Sequence, residues 1–473
     1  MRLSTRAPAL KASTASPLGV FFMTALAGLT QVALTASPAM TAPSDPASSN
    51  AAAQSTDSLA ATWETPWNPD HAISRRQMWE QVVLLPGRIV SLPLSALGML
   101  TDGALGVMEQ SQLALFAPAK PGPRSLRPLA VSFSHLGDRT GIGAAITAQT
   151  GLPRSLKSVL GVEYAGTNKF YNRTQLTWTG KPLSLQVGYE WRPQDRFYGS
   201  GTSSSKDSIS DYAMQREFIR TSARWSWGHD VSTDRPRAVL NAWAGPRSEV
   251  TRNGRGPGQI HYAQRFPGFA APTLNARVEH FVYGTRWLVD HRAGAPHWSR
   301  GWRVLASAEQ FGAPVRALAL HSAAGNGATF SRYDIEAETG VSMFRDPRTL
   351  RIAMHLTDQQ VTSGRDRFLT ADLATLGGRR GLGGFAPGRF HDLDLLLTRV
   401  TYVFPLVRRL EMNVHSEWGA VYADLWQDAR LGSLHHSMGL AIHSRSERAP
   451  RGALGVDVSR EGVWFLYTLG GVE

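Results

Sequence analysis

The chain has 473 residues, with 50 basic and 37 acidic side chains, a formal net charge of +13 and 42% hydrophobic residues. The absence of cysteine excludes thiolate metal sites, cysteine nucleophiles and disulfide frameworks. Because the basic side chains are scattered singly along the chain, the positive charge does not predict a nucleic-acid interface, and we expect no nucleic-acid partner.

Residues 1–42 have the organisation of a secretory signal peptide. A basic start (Arg2, Arg6 and Lys11) is followed by a mostly apolar stretch and by small residues that lead to Ala42. The alternative is a membrane anchor that stays attached. Polar residues interrupt the stretch, however, and it falls short of the ~20 apolar residues of a spanning helix. We therefore expect export to the outer membrane with cleavage of this segment.

The next two segments differ in composition from the rest of the chain. Residues 43–72 begin with small and polar residues that cannot bury a core, which predicts a disordered linker. Within 73–124, apolar residues recur at steps of three and four, which predicts short amphipathic helices broken at Pro86 and Pro93. These helices either lie at the membrane interface or beneath a barrel, or simply pack on the rest of the protein.

From about residue 125 to residue 473 the hydrophobic period changes to two. In Leu183–Arg192, apolar side chains occupy one face of a strand, and Ser, Gln, Gly, Glu and Arg occupy the other. The same pattern predicts sixteen strands, at 127–135, 139–148, 157–166, 169–179, 182–192, 213–227, 236–248, 274–290, 301–311, 328–344, 348–358, 392–404, 409–421, 432–444, 452–459 and 462–471.

Alternation alone also allows a soluble sandwich with one buried face. Runs of about ten residues or longer, charged polar faces and aromatic residues near strand ends favour a membrane barrel. The connections agree, because the four long loops fall on one side of the predicted barrel and the short turns on the other. We therefore predict an all-β fold, a transmembrane antiparallel β-barrel of about 16 strands with a short helical N-terminal preface.

Two loop motifs make the prediction more specific. The outer-loop motif consists of Arg196, Phe197, Tyr198, Gly199 and Gly201. The lumen-loop motif consists of Gly377, Gly378, Arg380, Gly381, Leu382, Gly383, Gly384, Phe385, Arg389, Phe390 and Asp392. Glycines by themselves only shape turns, so the argument depends on both motifs in this order, followed by five predicted strands.

These motifs resemble those of the BamA/TamA-type outer-membrane assembly superfamily, also called bacterial surface antigens. The resemblance covers about residues 125–473. It implies that the second motif lies on a loop that folds into the barrel lumen, and that the protein acts on other outer-membrane proteins or on lipids through a weak barrel seam.

The chain departs from the family pattern at three points. Gly383 stands where the family has its loop-tip arginine, no POTRA pattern precedes the barrel, and the chain ends at Glu473 and not on an aromatic residue. As a replacement for the tip arginine we consider Arg380 or Arg389. Their candidate inward-facing partners are the carboxylates of Glu336, Glu338, Glu411 and Glu417.

The sequence favours no enzyme, cofactor or metal site. His415 and Ser416 are neighbours on one predicted strand and point to opposite faces, so they cannot pair as base and nucleophile. His435 and His436 could bind a metal with His443, but exposed histidines are usually surface polar groups. We expect no enzymatic activity, no cofactor and no metal.

Three classes of function remain. The chain is expected to act in insertion or translocation of protein or lipid across the outer membrane. The alternatives are a plugged pore or transporter for small solutes, and a structural barrel that serves a separately encoded partner. Expected partners are outer-membrane lipid and lipopolysaccharide, with client outer-membrane proteins or a periplasmic or lipoprotein partner.

Overall fold

The structure is a computed structural model. It describes residues 129–469, with gaps at 134–141, 149–155, 165–169, 181, 231–234, 255–259, 271–272, 293–299, 314–319, 321–324, 344–347, 379–380, 408–409 and 445–451. The predicted signal peptide, linker and helical preface lie outside the described residues.

Nineteen strands occur in the described residues. They are β1 (Leu129–Phe133), β2 (Ile142–Ala148), β3 (Leu156–Tyr164), β4 (Phe170–Gly180), β5 (Leu183–Phe197), β6 (Ser210–Asp230), β7 (Arg235–Asn253), β8 (Arg277–Asp290), β9 (Gly301–Gly312), β10 (Gly325–Asn326), β11 (Thr329–Met343), β12 (Arg348–Ser363), β13 (Ala374–Leu376), β14 (Phe390–Asp392), β15 (Asp394–Val407), β16 (Leu410–Tyr422), β17 (His435–Ser444), β18 (Gly452–Ser459) and β19 (Gly462–Leu469).

The helices are short and lie in the loops. They are the α-helices Tyr262–Arg265, Pro267–Ala270 and Leu425–Asp428, and the 3-10 turns Arg365–Arg367, Thr370–Asp372 and Leu431–Ser433. Among the described residues, no helix has the length and the apolar character needed to cross a membrane.

Sixteen of the strands pair antiparallel with their neighbours in chain order. Strands β1 to β9 pair in succession. The series then continues from β9 to β11, from β11 to β12, from β12 to β15, and in succession from β15 to β19. The small strand β10 pairs parallel with the start of β8, and β13 pairs with β14 as a separate hairpin. This meander confirms the all-β fold class of a transmembrane antiparallel barrel.

The two faces of the sheet differ in the way that this fold requires. On β16, Val414 and Trp418 are exposed on the outer face, while Glu417 on the inner face is 1% exposed. The same exposed apolar face continues around the sheet, at Leu176, Trp178, Leu185, Val187, Trp225, Trp227, Tyr283, Trp287, Val341, Ile352, Met438 and Leu440. A continuous apolar outer face of this kind is matched by lipid hydrocarbon.

Most observed strands lie within a few residues of the predicted ones. However, β5, β7 and β12 each extend five residues beyond their predicted ends, and the short strands β10, β13 and β14 were not predicted. Asp195, Arg196 and Phe197 belong to β5 and not to the following loop. The register between β5 and β6 shifts between Arg192 and Asp195, so the alternation is interrupted there and resumes. A bulge of this kind imitates a strand end in the sequence pattern.

A hydrophobic cluster fills the end of the sheet that carries the long loops. It joins side chains of five strands to loop side chains, at Phe197, Tyr212, Met214, Tyr262, Val282, Phe311, Ala328, Phe330, Phe368, Leu373 and Leu393. The rings of Phe311 and Phe330 stack with centroids 4.2 Å apart. Packing of this density fixes the loops relative to the strands below them.

Candidate functional site: the lumen loop and its socket

The chain between β12 and β15, residues 364–393, is called the lumen loop here. It begins with the two 3-10 turns, rises through β13, turns at residues 377–389 and returns through β14. The tip is closed by backbone hydrogen bonds from Gly377 N to Gly381 O (2.9 Å) and from Gly378 N to Phe385 O (3.1 Å). The described residues of the lumen-loop motif therefore form a compact, hydrogen-bonded turn.

The tip packs on the inner face of the sheet. Leu376, Leu382, Phe385 and Phe390 have exposed fractions of 0%. They form one cluster with Leu395 and Leu397 of β15 and Val421 of β16. Burial of side chains of this size contributes about 1.5–3 kcal/mol each. The second motif thus packs on the inner face of β15 and β16.

Two adjacent glycines make the closest approach to the wall. A Cβ at Gly383 would lie 2.7 Å from Asp457 Cγ, and one at Gly384 would lie 2.7 Å from the carbonyl carbon of Val458. Such distances leave no room for a side chain at either position. The Gly383 N–H donates to Glu417 Oε2 at 2.7 Å. A backbone N–H thus meets the lumen carboxylate at this position.

The pocket that receives the tip is called the socket here, and it consists of Glu417, His435, Ser437, Asp457 and Ser459. Ser437 Oγ donates to Glu417 Oε2 at 2.9 Å, and the Ser459 hydroxyl donates to Gly384 O. The other Glu417 oxygen accepts from the Arg399 guanidinium. His415 Nε2 lies 2.7 Å from Asp457 Oδ1. Both buried carboxylates therefore lie next to cationic or polar groups, as burial of charge requires.

Arg389 joins three separate segments at the edge of the socket. Its side chain is 3% exposed, and Nε lies 3.0 Å from both carboxylate oxygens of Glu461 in the turn between β18 and β19. Nη1 donates to Ser204 Oγ at 2.9 Å. The guanidinium also lies over the rings of Tyr198 and Phe390, at 5.0 and 4.6 Å from their centroids. One buried arginine thus connects the lumen loop, the outer loop and the last hairpin.

The two predicted motifs are brought into contact. Gly201 N donates to His391 O at 2.9 Å, and Ser200 forms a β-bridge with His391. Phe197 packs edge-on against His391, with centroids 5.1 Å apart. Gly199 lies in the same turn, and Arg196 lines the cavity below. The outer-loop motif therefore forms the neighbouring wall of the lumen loop.

Asp392 closes the loop at its base. Its Oδ1 accepts from Leu393 N at 2.9 Å. Burial raises the pKa of the Asp392 carboxyl, with the backbone hydrogen bond from Leu393 opposing that shift. The motif aspartate thus serves as a local turn cap for the entry into β15.

The predicted acidic partners need correction. Arg389 pairs with Glu461, a residue that the strand pattern did not single out, and not with any of the four predicted glutamates. Glu417 pairs with Arg399, and Glu338 lies 3.8 Å from Arg292. Glu336 lines the lumen cavity, and Glu411 lies opposite His443 in the strand register. Arg380 lies outside the described residues.

Sequence reasoning missed most of the socket. Asp457, Ser459 and His435 lie on the inner face of strands that were predicted. Their contact with the loop tip depends on how the loop folds, which no local pattern encodes. Glu461 lies in a two-residue turn, where the alternation gives no direction.

Below the lumen loop lies a cavity of about 700 Å³ with a charged wall. Arg216 and Arg247 both donate to Glu249, and Arg247 also donates to Asp372 at the base of the loop. Arg332 lies 2.8 Å from Asp334 on the opposite side. The interior of the sheet is therefore polar and laced with ion pairs, as in a water-filled lumen.

The histidines considered for metal binding are separated by the fold. His435 faces inward and stacks on Phe390, whereas His436 faces outward and lies against Trp418. His443 contacts Asn413 at 2.6 Å. Among the described residues, no cluster of three or more potential metal ligands occurs.

No protein-family model matches the chain, and no curated protein matches it. Among solved structures, the chain is similar to BamA from Haemophilus ducreyi lacking POTRA domains 1–3, at 11% identity and a TM-score of 0.49, over 72% of this chain and 69% of that one. It is also similar to CdiB from Acinetobacter baumannii (11% identity, TM-score 0.46, 72% and 59% covered) and to CdiB from Escherichia coli (8%, 0.45, 72% and 61%). The chain spans about three fifths of the length of either CdiB structure. At these identities none of these proteins lends its activity to the chain.

Proposed function

We propose that this chain is an outer-membrane β-barrel that acts in the insertion or translocation of protein or lipid across the outer membrane. The observation that carries the proposal is the docking of residues 376–378 and 381–392 in the socket formed by β16, β17 and β18. Support comes from the order of the two motifs, from their mutual contact and from the five strands that follow.

In this proposal the lumen loop holds the C-terminal strands as a unit. Gly383 and Gly384 bind the inner faces of β16 and β18, and Arg389 reaches the last hairpin through Glu461. Strands fastened in this way resist separation from one another, so a client would enter at the boundary between the first and last strands. The loop thereby directs opening to one place in the wall.

The proposed partners follow from the two surfaces of the sheet. The exposed tryptophans of the outer face, such as Trp178, Trp225 and Trp287, suit the lipid and lipopolysaccharide of an outer membrane. Client outer-membrane proteins would contact the strand edges, and a periplasmic protein or lipoprotein would deliver them.

Depletion of the protein followed by quantitative proteomics of the outer membrane tests the proposal. We expect a subset of outer-membrane proteins, or the outer-leaflet lipid content, to fall. Complementation with Gly384→Ala, which disturbs the docked tip, should restore less than complementation with Gly432→Ala, where a Cβ meets nothing within 4 Å. An unchanged outer-membrane profile on depletion would overturn the proposal.

A plugged pore is the second candidate, and the 700 Å³ cavity with its charged wall favours it. A pore requires an aqueous path past the lumen loop. Planar-bilayer recording of the purified protein separates the two functions. A stable conductance that increases when residues 377–389 are deleted would favour the pore, and its absence would favour insertion or translocation.

A further inference from the structure

The outer, lipid-facing side of β16 and β17 carries a serine–histidine pair. Ser416 Oγ lies 2.7 Å from His436 Nε2. The surrounding outward side chains are apolar and exposed, with Val414 41%, Trp418 36% and Met438 53% exposed. Ionisable side chains are rare within membrane spans, and where they occur they indicate a functional site by default. The hydrogen-bonded histidine on this face is therefore a candidate functional residue.

The strand register explains why the pair forms. Trp418 lies directly opposite His436, and Ser416 lies directly opposite Met438. Ser416 and His436 are therefore diagonal neighbours on one face, within reach of each other's side chains. The adjacent His415 points inward to Asp457 and takes no part.

Trp418 orients the imidazole. The indole and imidazole rings stack with centroids 5.2 Å apart and planes 25° apart. A stacked ring has a restricted plane, which keeps Nε2 directed at the serine hydroxyl. A neutral imidazole accepts the proton of a hydroxyl through such a nitrogen.

The substrate class follows from the face that carries the pair. Val414, Trp418 and Met438 beside it are exposed apolar side chains on the outer side of the sheet, and such a face meets the lipids of a membrane. The acyl ester is the electrophilic bond that those lipids offer to a serine hydroxyl.

We propose that Ser416 and His436 form a lipid-facing acyl-transfer site for fatty acyl esters of membrane lipids. Ser416 Oγ attacks the ester carbonyl while His436 Nε2 takes the hydroxyl proton. The bond from the carbonyl carbon to the alcohol oxygen breaks, and His436 returns the proton to the leaving alcohol. Water then hydrolyses the acyl-serine with His436 as base, so one ester and one water yield one fatty acid and one alcohol.

The expected rate is modest. The backbone N–H groups of β16 next to Ser416 are engaged in pairing with β15 and β17. The site therefore acts through general-base assistance, which contributes about 10²- to 10⁴-fold. Slow turnover makes the acyl-serine intermediate the species to detect.

The test uses the purified full chain in two kinds of vesicle, one of ester-linked phospholipid and one that also contains lipid A. Matched vesicles of ether-linked phospholipid provide the unreactive comparison. Fatty-acid release and intact-mass detection of acylated Ser416 are the readouts, with fluorophosphonate labelling as a lipid-independent probe. Ser416→Ala, His436→Gln and the control Thr221→Ala are compared. Thr221 is an exposed hydroxyl residue on β6, opposite Leu185 and Ala244.

We expect acylation and labelling of Ser416 in the native chain and in Thr221→Ala. Both should be lost in Ser416→Ala and reduced at least about 10²-fold in His436→Gln. Release of fatty acid from vesicles that contain only phospholipid identifies phospholipid as the substrate. Release that occurs only when lipid A is present identifies lipid A as the substrate. A native chain that is folded, as judged by heat-modifiable migration, yet is neither acylated nor labelled would overturn the proposal. Undiminished release by Ser416→Ala would do the same.

Discussion

The ring of Phe390 lies flat against the imidazole of His435, with centroids 4.1 Å apart and planes 10° apart. His435 Nε2 also lies 2.7 Å from the carbonyl oxygen of Thr202. The lumen loop, the first residue of β17 and the outer loop therefore meet at one ring pair.

Truncation of the Phe390 side chain should destabilise the docked lumen loop. Phe390→Ala removes a fully buried aromatic side chain and leaves a cavity, which costs about 3–5 kcal/mol. We expect a lower midpoint of urea unfolding. We also expect the folded form to convert to the unfolded form at a lower temperature in the heat-modifiable gel migration assay. The control is Phe465→Ala on the outer face, where the side chain is 73% exposed, and the loss there should be much smaller. Equal losses in the two variants would contradict the assigned packing.

A larger residue at the tip of the lumen loop should displace the tip from the socket. In Gly384→Ala the new methyl group lies against the backbone of Val458 and Ser459, which cannot yield as a flexible side chain does. We expect a destabilisation of about 1–3 kcal/mol and faster proteolysis within residues 364–393. Gly432→Ala should leave both measurements unchanged, since nothing lies within 4 Å of the added Cβ.

The ion pair between Arg389 and Glu461 should show strong coupling. Removing one member leaves the other charge buried without its partner, a loss on the order of 3 kcal/mol. Arg389→Lys keeps the charge, but one ammonium group cannot hold Glu461 and Ser204 together, so an intermediate loss is expected. A double-mutant cycle of Arg389→Ala and Glu461→Gln measures the coupling, and strict additivity would show that the contact carries no energy.

A disulfide should trap the contact between the two motifs. The natural chain has no cysteine, so Ser200→Cys with His391→Cys creates a single pair at a β-bridge. Mild oxidation should shift the migration of the chain on a non-reducing gel. Ser200→Cys with Thr221→Cys serves as the control pair, because Thr221 lies eleven residues along β6 from its first residue, Ser210. Efficient cross-linking of the control, or none at 200 and 391, would argue against the docked arrangement.

Alkaline pH should destabilise the loop end of the sheet through Tyr262. Burial raises the pKa of Tyr262 from 10.0 to about 12, and its hydroxyl bonds to Thr370. The unfolded chain therefore releases this proton at lower pH than the folded chain does. Its contribution to stability is complete below pH 10 and is lost between pH 10 and pH 12. Tyr262→Phe should show a weaker fall in stability across this range, measured by urea unfolding at each pH.

The strands were predictable because each is specified by its own alternation. The pattern of Leu183–Arg192, for instance, determines which side chains face outward before any contact is known. The alternation also gave the inward direction of Glu417.

The partners of the loop tip were not predictable. Arg389 was a candidate for an inward ion pair, but its acid, Glu461, follows it by 72 positions and lies in a turn. The hydrogen bond from the backbone N–H of Gly383 to Glu417 depends on the close approach of the loop to the sheet, which is a property of the folded loop. The partner of a side chain that is distant in sequence can be identified only from the tertiary structure. The face of a strand on which a side chain lies can be predicted from the residues next to it in the sequence.

The unequal lengths of the strands make the rim higher on one side. β6 has 21 residues and β7 has 19, whereas β17 has 10. At about 3.3 Å per residue and a tilt of about 45°, β6 rises roughly 50 Å, about twice the height of an apolar membrane band. The loop-side ends of β6 and β7 therefore extend beyond the apolar band into water, beside the lumen loop.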